Sequence, residues 1–445
     1  MSCSKKKPGL STAVILQMLI LLILLTPILG QEKQDTAQQL HQIFDDYWQF
    51  LLKENPLMAT ARGDLRYNDR LSDESVAAYE RRNQARLNFL TRIEEIARDP
   101  LSEEDQLNYD LFKGQLQWNI QEFKFKTYLQ PVHQRSGFHL SLPDMHERIP
   151  FQTKKHYEDY LARLKAIPGF ISQIMERLKD GARQGRTPPK HVLQSVPEQI
   201  RILTSKPVER FPLFEPFHSF PDHLSGQEQE KLRDRGKHVL QTDVIQAFMR
   251  FKEFYEQDYI PKATEEISAS ERYPDGEAFY AYRIRRFTTT DMAAQDIHDL
   301  GLKEVSRIKN RMQEIIDESG FEGSFQEFIE LLRTDEQFYY MDPEDLLMGY
   351  RDICKRMDAA LPKLFGKLPR APYGVRAVPE YAAPQATTAY YSRPSPDGKR
   401  PGWFYANTYD LKSRPKYEME ALSLHEAVPG HHLQIALQQE LENVP

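Results

Sequence analysis

Cysteine is scarce in this sequence: two residues in 445, Cys3 and Cys354. That excludes a disulfide-rich scaffold. A basic excess is also missing. There are 59 Lys and Arg against 65 Asp and Glu, a formal charge of −6, which argues against a nucleic-acid partner because such proteins carry surplus cations to neutralise phosphates. Beyond the first thirty residues no apolar run reaches the length of a membrane span. Internal repeats and low-complexity tracts are absent as well. What remains is ordinary globular composition, 40% hydrophobic and 11% aromatic, in a chain long enough to bury a substantial core.

The N-terminus reads as a secretory signal peptide, residues 1–30. Lys5, Lys6 and Lys7 precede an apolar run from Ala13 to Leu25, and Pro27 and Gly30 follow. The alternative is an uncleaved N-terminal anchor, for which the apolar run is short. Cys3 lies before the apolar stretch, the wrong place for a lipid-modified N-terminus. The expectation is a secreted or periplasmic protein with no stable membrane span after cleavage. Its one remaining cysteine, Cys354, is expected to be a small apolar filler on a helix.

Residues 31–445 read as a single, mainly α domain. Helical spacing of apolar residues runs from Ala37 to Lys53, within Ser72 to Ile96, from Thr290 to Ser319 and from Asp342 to Ala360. Ser102-Glu103-Glu104-Asp105 has the form of a capped helix start. Thr153 to Gly181 is amphipathic but contains Pro168-Gly169, which predicts an interruption. Ser225 to Ile260 is long and polar on one side. Residues 183–223, with seven prolines, read as an irregular connection or several short turns. Residues 369–410 carry β-favouring runs, Ala389-Tyr390-Tyr391 and Trp403-Phe404-Tyr405-Ala406, and predict two or three short strands packed among helices.

Chemistry concentrates near the C-terminus, in Ser423-Leu424-His425-Glu426-Ala427-Val428-Pro429-Gly430-His431-His432-Leu433-Gln434. Zinc hydrolases commonly set two histidines four residues apart on one helix, beside a Glu that serves as general base. Here His425 and His431 are six apart. On a straight helix that is a rise of roughly 9 Å, too far for two imidazoles with metal bonds of about 2 Å to converge. The sequence supplies a bend: Pro429 cannot donate to the carbonyl of His425, and Gly430 tolerates unusual backbone geometry. His432 is then a neighbouring or substrate group, although His431 and His432 can exchange roles. The competing reading is a helix–turn–helix with solvated histidines. His133, His139 and His146 lie at irregular spacing in a loop and do not suggest a second metal site.

Several stretches resemble the bacterial family called domain of unknown function 885. They are Pro56 to Asp73, Leu101 to Leu111, Tyr160 to Pro189, Tyr280 to Val305, Ala371 to Pro384 (APYGVRAVPEYAAP), Pro401 to Leu411 (PGWFYANTYDL) and HEAVPGHHLQ itself. The resemblance covers nearly all of the chain after residue 30. It implies a large helical domain, similar to the gluzincin peptidases, with a small β-sheet beside the zinc helix. It further implies zinc held by His425 and His431, since a Gly often precedes the second ligand. Glu426 would be the general base, with His432 and Tyr409 assisting. Tyr409 is a candidate donor to the oxyanion, and Tyr390 and Tyr391 compete for that role. An extended substrate, a peptide or small amide, would add as a strand to Gly402 to Asn407, contacting Gly402, Trp403, Phe404 and Asn407, with Tyr390 and Tyr391 also expected to bind it.

The resemblance also implies a third ligand, a Glu from a following helix. This chain ends at Pro445, fourteen residues after His431, and Glu440 and Glu442 are too close along the same helix to fold back. The sequence is therefore expected to be C-terminally incomplete, with weak zinc binding and impaired hydrolysis. The alternative function is a peptide-binding or envelope scaffold protein without turnover. Manganese or cobalt would suit the same nitrogen and oxygen ligands.

Overall fold

A computed structural model describes residues 35–378, 383, 386–394 and 400–441. The expected signal peptide, residues 1–30, lies outside them, as does Glu442. The chain is mainly helical with one three-stranded sheet. Its contacts cluster into two compact units, one up to Ala294 and one from Gln295. No Pro- or Gly-rich linker marks this division, which falls at the start of a continuous helix, Ala294–Glu318.

The first unit is built on the helix Lys154–Arg183. Thr153 caps it by accepting from the His156 N–H. Contrary to the expected interruption, the helix runs through Pro168 without ending. Pro168 forfeits one backbone bond, but Ile167, Ile171, Ile174 and Leu178 are all buried and hold the two halves in line. They pack with Phe248, Phe251 and Tyr255 from the later helical stretch. Buried Arg163 donates to the carbonyls of Pro56, Tyr67 and Arg70, tying that irregular segment to the helix. A second cluster joins residues 35–54 to Val76–Glu94 and Glu103–Lys124 through Ile43, Phe44, Phe89, Ile93 and Leu116. Ser102 caps the last of these helices, as its sequence predicts. The proline-rich stretch contains a helix that the sequence reading leaves out, Val196–Thr204. Pro197 sits in its first turn, where no N–H is needed.

The second unit carries the sheet. Strands β1 (Tyr373–Ala377), β2 (Ala389–Ser392) and β3 (Gly402–Ala406) lie in the order β1-β3-β2. β3 is parallel to β1, with Tyr373 opposite Gly402, and antiparallel to β2, with Tyr391 opposite Phe404. Side chains alternate across a strand, so Val375, Ala389, Phe404 and Ala406 share the inner face. They pack on Leu346, Leu347 and Tyr350 of the helix Pro343–Ala360 and on Met419. Phe404 meets Tyr350 edge-on at 5.0 Å between centroids. Cys354 is buried on this helix within the same cluster. On the outer face Arg376 lies over both Trp403 and Tyr405, and Tyr390 stacks on Tyr405.

Phe404 has no exposed surface, so truncating it opens a cavity that the sheet cannot close. Phe404→Ala should destabilise the second unit by about 3–5 kcal/mol. Urea unfolding followed by Trp403 fluorescence, in a background where Trp48 and Trp118 are replaced by Phe, measures this; a loss below about 1 kcal/mol would contradict the packing described.

Candidate metal centre

The helix Met419–Glu426 anchors itself through buried Met419 and Ser423, the Ser423 hydroxyl donating back to the Met419 carbonyl at 2.7 Å. The same face carries Glu426, so Glu426 is drawn inward (7% exposed) while His425 stays at the surface. The helix stops there. Ala427 leaves the helical region (φ −102°, ψ −100°), the Val428–Pro429 peptide is cis, and a new helix, His431–Gln439, begins after Gly430. The His432 N–H donates to the Ala427 carbonyl at 3.0 Å, closing the turn.

Gly430 is required at this junction. A Cβ there would lie 1.9 Å from the His425 carbonyl oxygen and 2.4 Å from that of Leu424, so no other residue fits without moving the backbone. The turn folds His431 back onto His425. Their rings are 4.7 Å apart at 81°, and one ligand atom from each of His425, Glu426 and His431 lies within 4.8 Å of the others. This is the bend that the Pro429-Gly430 pair predicts. Among the described residues no other group of three such side chains converges.

The donor set suits a divalent cation. Two imidazoles and a carboxylate are borderline to hard ligands of the kind zinc accepts. The Glu426 Oε2 is buried and has no hydrogen-bond partner among the described residues, and it lies 3.9 Å from the His431 Nε2; a buried carboxylate oxygen left unpaired in this way would be relieved by a positive charge. Burial raises the affinity of Glu426 for a proton, and the nearby His431 and His425 offset part of that rise.

His432 takes no part in the cluster. It is buried, with Nε2 3.0 Å from the Ala371 carbonyl and Nδ1 2.8 Å from the Tyr391 hydroxyl. Burial lowers its pKa, partly offset by the Ala371 carbonyl and the charge of Asp358. Of the two histidines that sequence alone leaves interchangeable, His431 is the one that meets His425. Tyr391 stacks against His431 at 6.3 Å. Tyr373 packs on His432 at 4.6 Å and donates to Asp358. Tyr373 was not singled out by the sequence reading, although it lies in the quoted Ala371–Pro384 stretch.

The expected substrate strand needs correction. β3 is the middle strand, so its backbone donors and acceptors are already engaged on both sides and it cannot accept a further strand. Phe404 is core. Gly402 borders the Tyr391 hydroxyl and His432: a Cβ there would sit 2.4 Å from the Tyr391 Oη and 2.9 Å from the His432 Nδ1. Asn407 is buried and donates through Nδ2 to the carbonyls of Ala383, Ala386 and Thr387, pinning a loop. Trp403 stacks with Arg376 on the outer face. Tyr390 and Tyr391 lie on β2, which pairs on one side only among the described residues. Tyr409 is 65% exposed, and the tyrosine rings packed on the site histidines are Tyr391 and Tyr373. The Glu440 carboxylate accepts from the Arg370 N–H at 2.6 Å.

Residues 56–445 match the family described as "Bacterial protein of unknown function (DUF885)", and the chain belongs to that family. It is similar to the crystal structure of a candidate lipoprotein from Colwellia psychrerythraea, with 25% identity and a TM-score of 0.78 over 92% of this chain and 73% of that one. A candidate lipoprotein of unknown function from Shewanella oneidensis shares the fold at 14% identity and a TM-score of 0.64, with the same coverage. No functionally curated protein matches the sequence.

The raised Glu426 pKa has a stability consequence. Between the ordinary carboxylate pKa and the raised folded value, the folded state binds more protons than the unfolded chain, so stability falls as pH rises through that window and stays lower above it. In metal-free protein, Glu426→Gln should therefore raise the melting temperature at pH 7–8, and the gain should vanish below pH ~4. A lower melting temperature for the variant at pH 7–8 would contradict the assignment.

Proposed function

We propose that this member of the family is a metal-dependent hydrolase of peptides or small amides, with His425 and His431 holding a divalent cation, zinc first among those the ligands suit. The observation that carries the reading is the convergence of His425, Glu426 and His431 within 4.8 Å at a surface that solvent and substrate can reach. A zinc ion bound there supplies a water of lowered pKa. Glu426 would be the base for that water and would return the proton to the leaving amine. A carboxylate already biased toward the protonated form by burial suits that work. Envelope location is part of the proposal and is supported by the candidate lipoprotein of Colwellia psychrerythraea.

A second reading, a peptide-binding or envelope scaffold without turnover, is favoured by one feature. Among the described residues only Glu426 is at hand as a third ligand. If it is consumed in that role, no base remains beside the metal.

One experiment separates them. Zinc titration by calorimetry should give one site per chain. His425→Ala or His431→Ala should weaken it by at least tenfold, the loss of one ligand. Glu426→Gln should retain zinc within a few-fold while lowering hydrolysis of a peptide library about 10²- to 10⁴-fold. If zinc is lost in Glu426→Gln, the residue is a ligand and the scaffold reading gains. If zinc binds but the unmodified protein hydrolyses nothing, the hydrolase reading fails.

A further inference from the structure

The first unit has a pocket of its own, about 430 Å³ in volume, within the range that small-molecule sites occupy. One wall is a face of the long helix Lys154–Arg183, where Phe170, Ile174 and Arg177 recur at helical spacing and all line the pocket. A second wall is the turn after Pro131. His133 and Ser136 exchange two backbone hydrogen bonds there, and Gly137 follows with a φ of 142°. Glycine adopts that backbone readily and other residues do not, and a Cβ at this position would lie 2.8 Å from the His139 Nδ1. The turn brings Phe138 and Leu140 to the same pocket.

Three charged residues line it: Glu74, Arg135 and Arg177. Arg177 is 2% exposed and fully engaged. Its Nε and Nη2 donate to the Tyr128 carbonyl at 2.9 and 2.6 Å, and its Nη1 donates to the Glu74 Oε2. The Tyr79 hydroxyl donates to the same carboxylate oxygen at 2.9 Å. Glu74 and Arg177 therefore cancel as a largely buried pair. Arg135 is left over. It is exposed, and its guanidinium has no hydrogen bond or ion pair among the described residues. The walls given by Phe138, Leu140, Phe170 and Ile174 are apolar. Phe138 and Ile174 are buried, Phe170 is half-buried, and Leu140 stays 40% exposed.

We propose that this pocket binds a monocarboxylate with an apolar body. The hydrocarbon lies against Phe138, Leu140, Phe170 and Ile174, and the carboxylate pairs with the Arg135 guanidinium, whose planar fork matches it. Charge decides the sign. With Glu74 answered by Arg177, the lining carries one unanswered positive charge and no unanswered negative one. An ammonium of the same size finds no carboxylate to spare. A free acyl chain and the C-terminal residue of a peptide share this chemistry. The site lies in the first unit and does not depend on the hydrolase reading above.

Calorimetric titration of the full chain with octanoate, octanol, octylamine and acetate tests this. Octanoate should bind at one site, and acetate, which lacks the hydrocarbon, more than about a hundredfold more weakly. Octylamine should bind about tenfold more weakly than octanoate or worse, because it brings a like charge to Arg135. Arg135→Gln should weaken octanoate about three- to tenfold, the worth of one partly exposed charged hydrogen bond, and leave octanol unchanged. Leu140→Ser should weaken both. Arg135 is exposed and unpaired, so its variant should melt with the parent protein. His431→Ala should bind octanoate as the parent does; loss there puts the carboxylate on a metal and overturns the proposal. Unchanged octanoate affinity in Arg135→Gln, equal binding of octylamine, or no saturable binding of octanoate overturns it as well. N-acetyl-leucine identifies the source: tighter binding than octanoate supports a peptide terminus, weaker binding an acyl chain.

Discussion

The site depends on one steric fact: the backbone at Gly430 passes so close to the carbonyl of His425 that a β-carbon would overlap it. That approach lets one helix end and the next begin within four residues. A continuous helix would carry two side chains six residues apart along its axis and turn them to different faces. The broken one returns His431 to the level of His425. Glu426, on the buried side of the first helix, then lies beside the two imidazoles, with one oxygen unpaired among the described residues. Convergence, burial of the carboxylate and exposure of the first imidazole are three results of the same chain reversal.

The sheet supports this reversal from behind. Its inner face is fixed by Phe404 against Tyr350, and the same β3 strand supplies Gly402, whose missing side chain admits Tyr391 and His432. His432 follows His431 directly in sequence, so the two hydrogen bonds that immobilise its ring also fix the start of the second helix. A ligand is held best when neighbouring groups leave its backbone no freedom. The outer face, with Arg376 between Trp403 and Tyr405, closes the sheet with stacked planar groups and leaves the site side to β2.

Much of this could be read from the sequence, because much of it is local. Ser102 announces a helix start through a bond three residues away, and the Pro429-Gly430 pair announces a bend that reconciles an anomalous histidine spacing. The choice between His431 and His432 was not local. It turns on Ala371 and Tyr391, sixty-one and forty-one residues distant. Strand order was likewise illegible: Gly402–Ala406 alternates in a way that suits an edge or a centre equally, and only its pairing with both β1 and β2 shows that its backbone is taken. Pro168 misled in the other direction. One missing backbone bond was outweighed by a face of buried Ile and Leu residues that the pattern already contained.

The central claim is that two imidazoles from either side of a broken helix share one cation. X-ray absorption at the zinc edge of protein loaded with one equivalent of metal tests it most directly. The account predicts two histidine nitrogens at about 2.0 Å, with oxygen filling the remaining positions. One imidazole or none, or a third contributed by His432, would contradict it.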